Sequence, residues 1–122
     1  MTLAVVGGKL AAVNPYEYSA EKLRIAVEVL TTHPGDSRAR LRSAFPVFWV
    51  LKAEDFPIDR QQDWRWIRQQ LTKYGPWISS NGLIMEGSLE HTLRRIRNQT
   101  ASEIIKRMLD MYWAVSENNR YR

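Results

Sequence analysis

Apolar residues recur at intervals of three and four in several separate segments of the chain, which is the spacing of one face of an α-helix. The clearest run comprises Leu23, Ala26, Val27 and Leu30. Capping residues or Gly and Pro separate these segments, so each helix is short. A chain of 122 residues suffices for one hydrophobic core. We therefore predict a single all-α domain over residues 1–122, a compact bundle of four to five short helices.

Capping signals predict where these helices begin. The predicted starts are Ser19, Asp36 or Ser37, Asp59, Ser88, and Ala101 preceded by the capping residue Thr100. Residues 33–35 end the first helix, and Gly75 with Pro76 ends the third. The apolar residues 45–51 predict a helix kinked at Pro46 in the middle of the core, with a buried strand as the alternative. The two helices predicted after Ser88 could instead be one long bent helix.

Two pairs of turn residues predict local departures from the helical pattern. Gly7 and Gly8 separate two short apolar runs, so residues 1–14 form either a short N-terminal β-hairpin or a flexible arm. Asn81 and Gly82 predict a turn that joins residues 77–78 to 83–85. Residues 116–122 are polar and predict a frayed tail.

The residue inventory argues against catalysis. Cysteine is absent and the histidines are limited to His33 and His91, which excludes a thiolate nucleophile and a Cys- or His-rich metal site. The paired carboxylates of Glu54 and Asp55 are typical of a solvated loop. We predict no catalytic residue, no metal and no cofactor. A chain without disulfides or a long apolar run suits a reducing compartment, so the sequence predicts a cytoplasmic protein with no membrane partner.

Tryptophans outside the apolar stripes suggest a protein-binding surface. Most of the five Trp, five Tyr and three Phe are expected to fill the core of so small a domain. Trp66, however, lies nearly opposite Trp64 on the helical wheel. The favoured function is a small non-catalytic helical module that binds a protein partner or a second copy of itself. Its candidate contacts are Trp66, Trp113, Gln62, Gln69 and Lys73. The alternative is that the N-terminal segment or residues 77–85 cover both indoles.

The positive charge raises nucleic-acid binding as a second function. The formal net charge is +5, although no run of five like charges occurs. Arginine can read base edges through paired hydrogen bonds. The candidate contacts are Arg60, Arg65, Arg68, Arg94, Arg95, Arg97 and Arg107. Because Arg94, Arg95 and Arg97 point in three directions around a helix, a solvated charged surface is the simpler interpretation.

Overall fold

A computed structural model describes the backbone of residues 2–6 and 9–120 and the side chains of residues 14–116. Within these ranges the chain forms five α-helices, two short antiparallel hairpins and one 3₁₀ turn at Ala53–Asp55. The elements are β1 (Thr2–Val6), β2 (Lys9–Val13), α1 (Glu17–Thr32), α2 (Ser37–Phe48), α3 (Ile58–Leu71), β3 (Trp77–Ile78), β4 (Ile84–Glu86), α4 (Ser88–Arg95) and α5 (Asn98–Arg120). The predicted compact helical class is confirmed.

Two hairpins are present, and the first decides between the two N-terminal alternatives. β1 and β2 pair with Val6 opposite Lys9, so the N-terminal segment is a hairpin and not an arm, while the turn at Gly7 and Gly8 lies outside the described residues. β3 and β4 are joined through Gly82, whose φ of 85° is a left-handed conformation that glycine adopts readily. At the other end α5 continues to Arg120, and the fraying of residues 116–122 stays a prediction.

Three aromatic side chains form the centre of the core. The ring of Trp64, only 1% exposed, lies 5.9 Å from that of Phe48 and 5.3 Å from that of Phe56. Around them α1 packs on α2 and α5, and α3 packs on α4 and α5. The apolar run 45–51 was predicted to lie in the middle of the core, but it is buried along one side only. Phe48 and Leu51 are fully buried, whereas Val50 is about half exposed.

The start of α1 differs from the prediction because of a tertiary contact. Ser19 does not cap the helix; it is buried inside it, and its hydroxyl donates to the backbone oxygen of Tyr16 at 3.0 Å. The buried Asn14 accepts a hydrogen bond from the Tyr16 amide at 3.0 Å and donates to the Val115 carbonyl oxygen at 3.2 Å. Asn14 thereby fixes the beginning of α1 against the far end of α5.

Other helix ends also differ from the prediction. α3 ends at Leu71, before Gly75, although Gly75 has a left-handed φ of 62° as a helix-ending glycine does. The Tyr74 amide in the connecting segment donates to the Thr92 hydroxyl at 3.2 Å. α3 starts at Ile58, one residue before the predicted Asp59 cap. The predicted break between the last two helices is confirmed, although α5 begins at Asn98, three residues before the predicted start.

Asp36 caps α2 as predicted. Its Oδ1 accepts a hydrogen bond from the Ala39 amide at 3.0 Å. That bond, followed by one from the Asn98 side chain and by the positive charge of Arg38, lowers the pKa of the Asp36 carboxyl. A carboxyl whose pKa is lower in the folded state than in the unfolded state stabilises the fold above its unfolded-state pKa. That stabilisation is lost as the pH falls through the lowered folded-state pKa.

We expect Asp36→Ala to lower the melting temperature at neutral pH and to lower it much less in acid, at a pH below the lowered folded-state pKa of this carboxyl. Thermal unfolding followed by circular dichroism at both pH values measures the difference. Asp36→Asn is the control, since it keeps an oxygen acceptor for the Ala39 amide without the charge. An equal loss at both pH values for Asp36→Ala would contradict the ionic contribution.

Candidate protein-binding site

One end of the β3–β4 hairpin is fixed to α4 by two hydrogen bonds. The Tyr74 amide donates to the hydroxyl of the buried Thr92, and the His91 ring nitrogen Nδ1 lies 3.0 Å from the Gly75 carbonyl oxygen. A carbonyl oxygen can only accept, so Nδ1 carries the proton of this bond. The chain that enters the hairpin therefore has a defined position on α4.

The other end of the hairpin is fixed to the same helix by an ion pair. Arg94 donates from Nη2 and Nε to one carboxylate oxygen of Glu86, at 2.6 and 3.0 Å. Its guanidinium carbon also lies 5.8 Å from the centre of the Trp77 ring. Both strands of this short hairpin are thus attached to α4, which compensates for the low intrinsic stability of two isolated strands.

The hairpin exposes apolar side chains on both of its faces. Successive residues of a regular strand point to opposite faces. Trp77 and Ile78, between which the pairing register shifts, are both about half exposed. In β4 Ile84 is 69% exposed and Met85 is more than half exposed. We call the exposed set the hairpin patch; its members are Tyr74, Trp77, Ile78, Leu83, Ile84 and Met85. Each offers on the order of 100 Å², so the six expose roughly 600 Å² in total, divided between the two faces of the hairpin.

An open groove runs between the hairpin and α4. Its volume is about 700 Å³, and it is lined by Trp77, Glu86, His91, Arg94 and Arg95. The Arg95 guanidinium carbon lies 4.4 Å from the centre of the Tyr74 ring. No carboxylate of the described side chains lies within ion-pairing distance of Arg95. The groove therefore combines the Trp77 ring with two guanidinium groups. That of Arg94 is bound to Glu86, and that of Arg95 is not paired with a carboxylate among the described residues.

Trp66 is less accessible than its helical-wheel position suggests. It is half-buried against the core, and the Arg107 guanidinium carbon of α5 lies 4.2 Å from its ring centre. Arg107 is itself held by an ion pair of 3.1 Å to Asp63. The residues that line the shallow cavity beside this ring are Trp66, Glu103, Lys106, Arg107 and Asp110. The cover over Trp66 thus comes from α5, whereas the sequence suggested the N-terminal segment or residues 77–85.

The remaining protein-interface candidates lie in three places. Trp113 is 53% exposed on α5, and its ring is tilted against that of Tyr112 at 5.6 Å. Gln62 and Gln69 are exposed on α3, on the same helical stripe as Trp66. Lys73 lies beyond the end of α3, and its Nζ is 5.6 Å from the Tyr74 ring, next to the hairpin patch. No ring contact joins Trp66 to Trp113 within residues 14–116.

Four of the seven candidate arginines pair with a carboxylate or donate to backbone oxygens within the fold. Arg60 and Arg107 pair with Asp63, Arg94 pairs with Glu86, and Arg68 donates to the backbone oxygens of Trp49 and Leu51. Arg65 reaches only the Gln61 side chain, at 3.5 Å. Arg95 and Arg97 are exposed, with no ion pair to any carboxylate in the described part of the chain.

Sequence reasoning placed the turn of the second hairpin but missed its exposed surface. The available signal was the apolar character of residues 77–78 and 83–85 on both sides of such short strands. A hairpin of this size cannot bury both faces unless other elements enclose it. Within the part of the chain that the structure describes, no group of three His, Asp or Glu residues could hold a metal ion.

Two further observations bear on function. Among the described helices, none combines the length and apolarity that a membrane crossing requires. No protein-family model matches the chain, and neither a curated protein nor a solved structure matches it.

Proposed function

We propose that this chain is a small non-catalytic helical module that binds a protein partner through the hairpin patch. The observation that carries the proposal is the exposure of six large apolar side chains on one hairpin that is fixed to α4. Large exposed apolar surfaces are typical of interaction sites. We place the module in the cytoplasm, because a chain lacking cysteine suits a reducing compartment. We propose no membrane partner.

The size and the rigidity of the patch both favour a protein partner. A standard protein interface covers about 800 Å² of each partner, so the apolar side chains on one face of the hairpin can supply part of its centre. Its attachment to α4 through Thr92, His91 and Arg94 holds the side chains in place before binding. A surface ordered in advance loses less conformational entropy on association.

A photo-crosslinking amino acid at position 84 tests this proposal in an extract of the source cell. We expect a discrete and saturable protein adduct, because Ile84 is the most exposed member of the hairpin patch. Unlabelled wild-type chain should compete for the adduct, whereas the double variant Ile84→Ser, Met85→Ser should not.

Position 58 provides the matched control for this experiment. Ile58 is 88% exposed but lies at the start of α3, outside the hairpin patch. A crosslinker there should give no competed adduct. The same adducts from both positions, or adducts with nucleic acid alone, would count against the proposal.

Nucleic-acid binding is the second candidate function. The observation that favours it is that Arg65, Arg95 and Arg97 are exposed and not paired with a carboxylate among the described residues. Phosphate contacts release counterions, so the affinity for nucleic acid falls steeply as the salt concentration rises. The affinity of an apolar protein interface falls far less. Fluorescence anisotropy with labelled DNA and RNA at two salt concentrations separates the two functions.

A further inference from the structure

We infer that the groove between the hairpin and α4 receives a carboxylate-bearing segment of the partner, with Arg95 as the group that binds the carboxylate. The inference rests on the proposed function, since it names the chemistry of the partner at the same surface. The groove has room for a side chain, at about 700 Å³, and its lining places the Trp77 ring beside the guanidinium groups of Arg94 and Arg95. Its occupant therefore combines acidic and apolar side chains.

Arg94 shows how this groove holds a carboxylate. Two of its N–H groups converge on one oxygen of Glu86. Arg95 follows it in the chain and lines the same groove, yet none of the described carboxylates pairs with it. Its guanidinium lies over the Tyr74 ring at 4.4 Å, which occupies one face of the group. The N–H donors of a guanidinium lie in its plane, so they remain available to an incoming carboxylate.

The charges around the groove favour an acidic occupant over a second copy of this chain. Lys73, Arg94 and Arg95 lie at or beside the groove, and the acidic group lining it, Glu86, is already paired with Arg94. A second copy in a symmetric dimer would present the same positive rim to this one. Like charges brought together at an interface oppose association.

The composition of the hairpin patch favours a polypeptide over a nucleic acid. Single-stranded nucleic acids bind on aromatic platforms, where bases stack on exposed rings. Four of the six patch residues are aliphatic or Met, and guanidinium groups already lie over the rings of Tyr74 and Trp77. An acidic polypeptide segment with apolar side chains matches both the patch and the charge.

Two matched peptides test the inference with the full chain. The first is a short fluorescein-labelled peptide in which glutamate alternates with leucine, and the second has glutamine at each glutamate position. We expect the glutamate peptide to bind about tenfold more tightly, as a charge-assisted hydrogen bond to one guanidinium predicts. Fluorescence anisotropy measures both affinities, and added salt should reduce the difference.

Arginine variants assign the preference to one side chain. Arg95→Gln should abolish the preference for the glutamate peptide, whereas Arg65→Gln should keep it, because Arg65 is an exposed arginine of α3 that does not line the groove. Circular dichroism should show both variants folded, since neither arginine pairs with a carboxylate within the described fold. Equal binding of the two peptides, or equal effects of the two variants, would overturn the inference.

Variants and further measurements show whether a failure lies in this inference alone or also in the proposed function. If both peptides bind equally and the Ile84→Ser, Met85→Ser variant binds neither, the patch docks polypeptides but the carboxylate site is wrong. If light scattering shows a dimer that this variant dissociates, the occupant is a second copy and the inference fails. Tighter binding to single-stranded RNA than to the glutamate peptide would overturn both.

Discussion

Replacing Trp64 with alanine is expected to lower the free energy of unfolding by about 3–5 kcal/mol. The indole is 1% exposed and lies within 6 Å, between ring centres, of both Phe48 and Phe56. Its removal would leave a cavity bordered by rings from α2 and from the segment before α3, which cannot all move inward together. A domain of this size has a total stability of about 5–15 kcal/mol, so the variant should be close to unfolding.

Urea denaturation followed by far-UV circular dichroism measures this loss. Trp113→Ala is the matched control, since it removes the same side chain from a position that is 53% exposed, and its effect should stay within about 1 kcal/mol. Trp64→Phe should lie between the two, because it keeps a ring and removes an indole N–H that is buried without an acceptor among the described residues. Similar losses at positions 64 and 113 would contradict the placement of the core.

The elements that the sequence predicted well depend on residues close together in the chain. The Asp36 cap bonds to an amide three residues away, and the turn at Gly82 needs only a glycine with positive φ. The break between α4 and α5 likewise shows in the local drift of the apolar stripe. Such signals survive folding because the contacts that realise them lie within one or two turns of chain.

The features that the sequence did not predict depend on residues far apart. Asn14 bonds to the carbonyl of Val115, across nearly the whole chain, and so moves the start of α1. Trp66 packs partly against the core, and Arg107 of α5 lies over its ring. A helical wheel gives the direction of a side chain and not what a second helix places over it.

The candidate site was predictable only in its chemistry. Exposed tryptophan was the predicted pattern for binding, and Trp77 is about half exposed. The prediction named Trp66 and Trp113 because both lie off the apolar stripes of their helices, and it treated residues 77–85 only as a possible cover for them. The proposal for the hairpin patch therefore depends on the exposure of residues 74–85 in the folded chain.

Replacing Arg68 with alanine is expected to lower the free energy of unfolding by about 2–3 kcal/mol, although this residue was a nucleic-acid candidate. Its Nη1 donates to the backbone oxygens of Trp49 at 3.2 Å and Leu51 at 3.3 Å. Its guanidinium carbon also lies 3.8 Å from the centre of the Trp49 ring. Arg68 thus joins α3 to the end of α2, and its removal leaves two carbonyl groups without this donor next to the buried Leu51.

Two comparison variants separate this internal role from a role in binding. Arg68→Lys should recover only part of the stability, because an ammonium group lacks the planar face that stacks on Trp49. Arg65→Ala should change the free energy of unfolding by less than about 0.5 kcal/mol, since its contact with Gln61 is long and exposed. Urea denaturation of the three variants gives these values. The opposite result would be an Arg68→Ala variant that is as stable as Arg65→Ala but binds DNA or RNA with a shallower salt dependence. Arg68 would then be a phosphate contact, and its bonds between α3 and the end of α2 would not stabilise the fold as we expect.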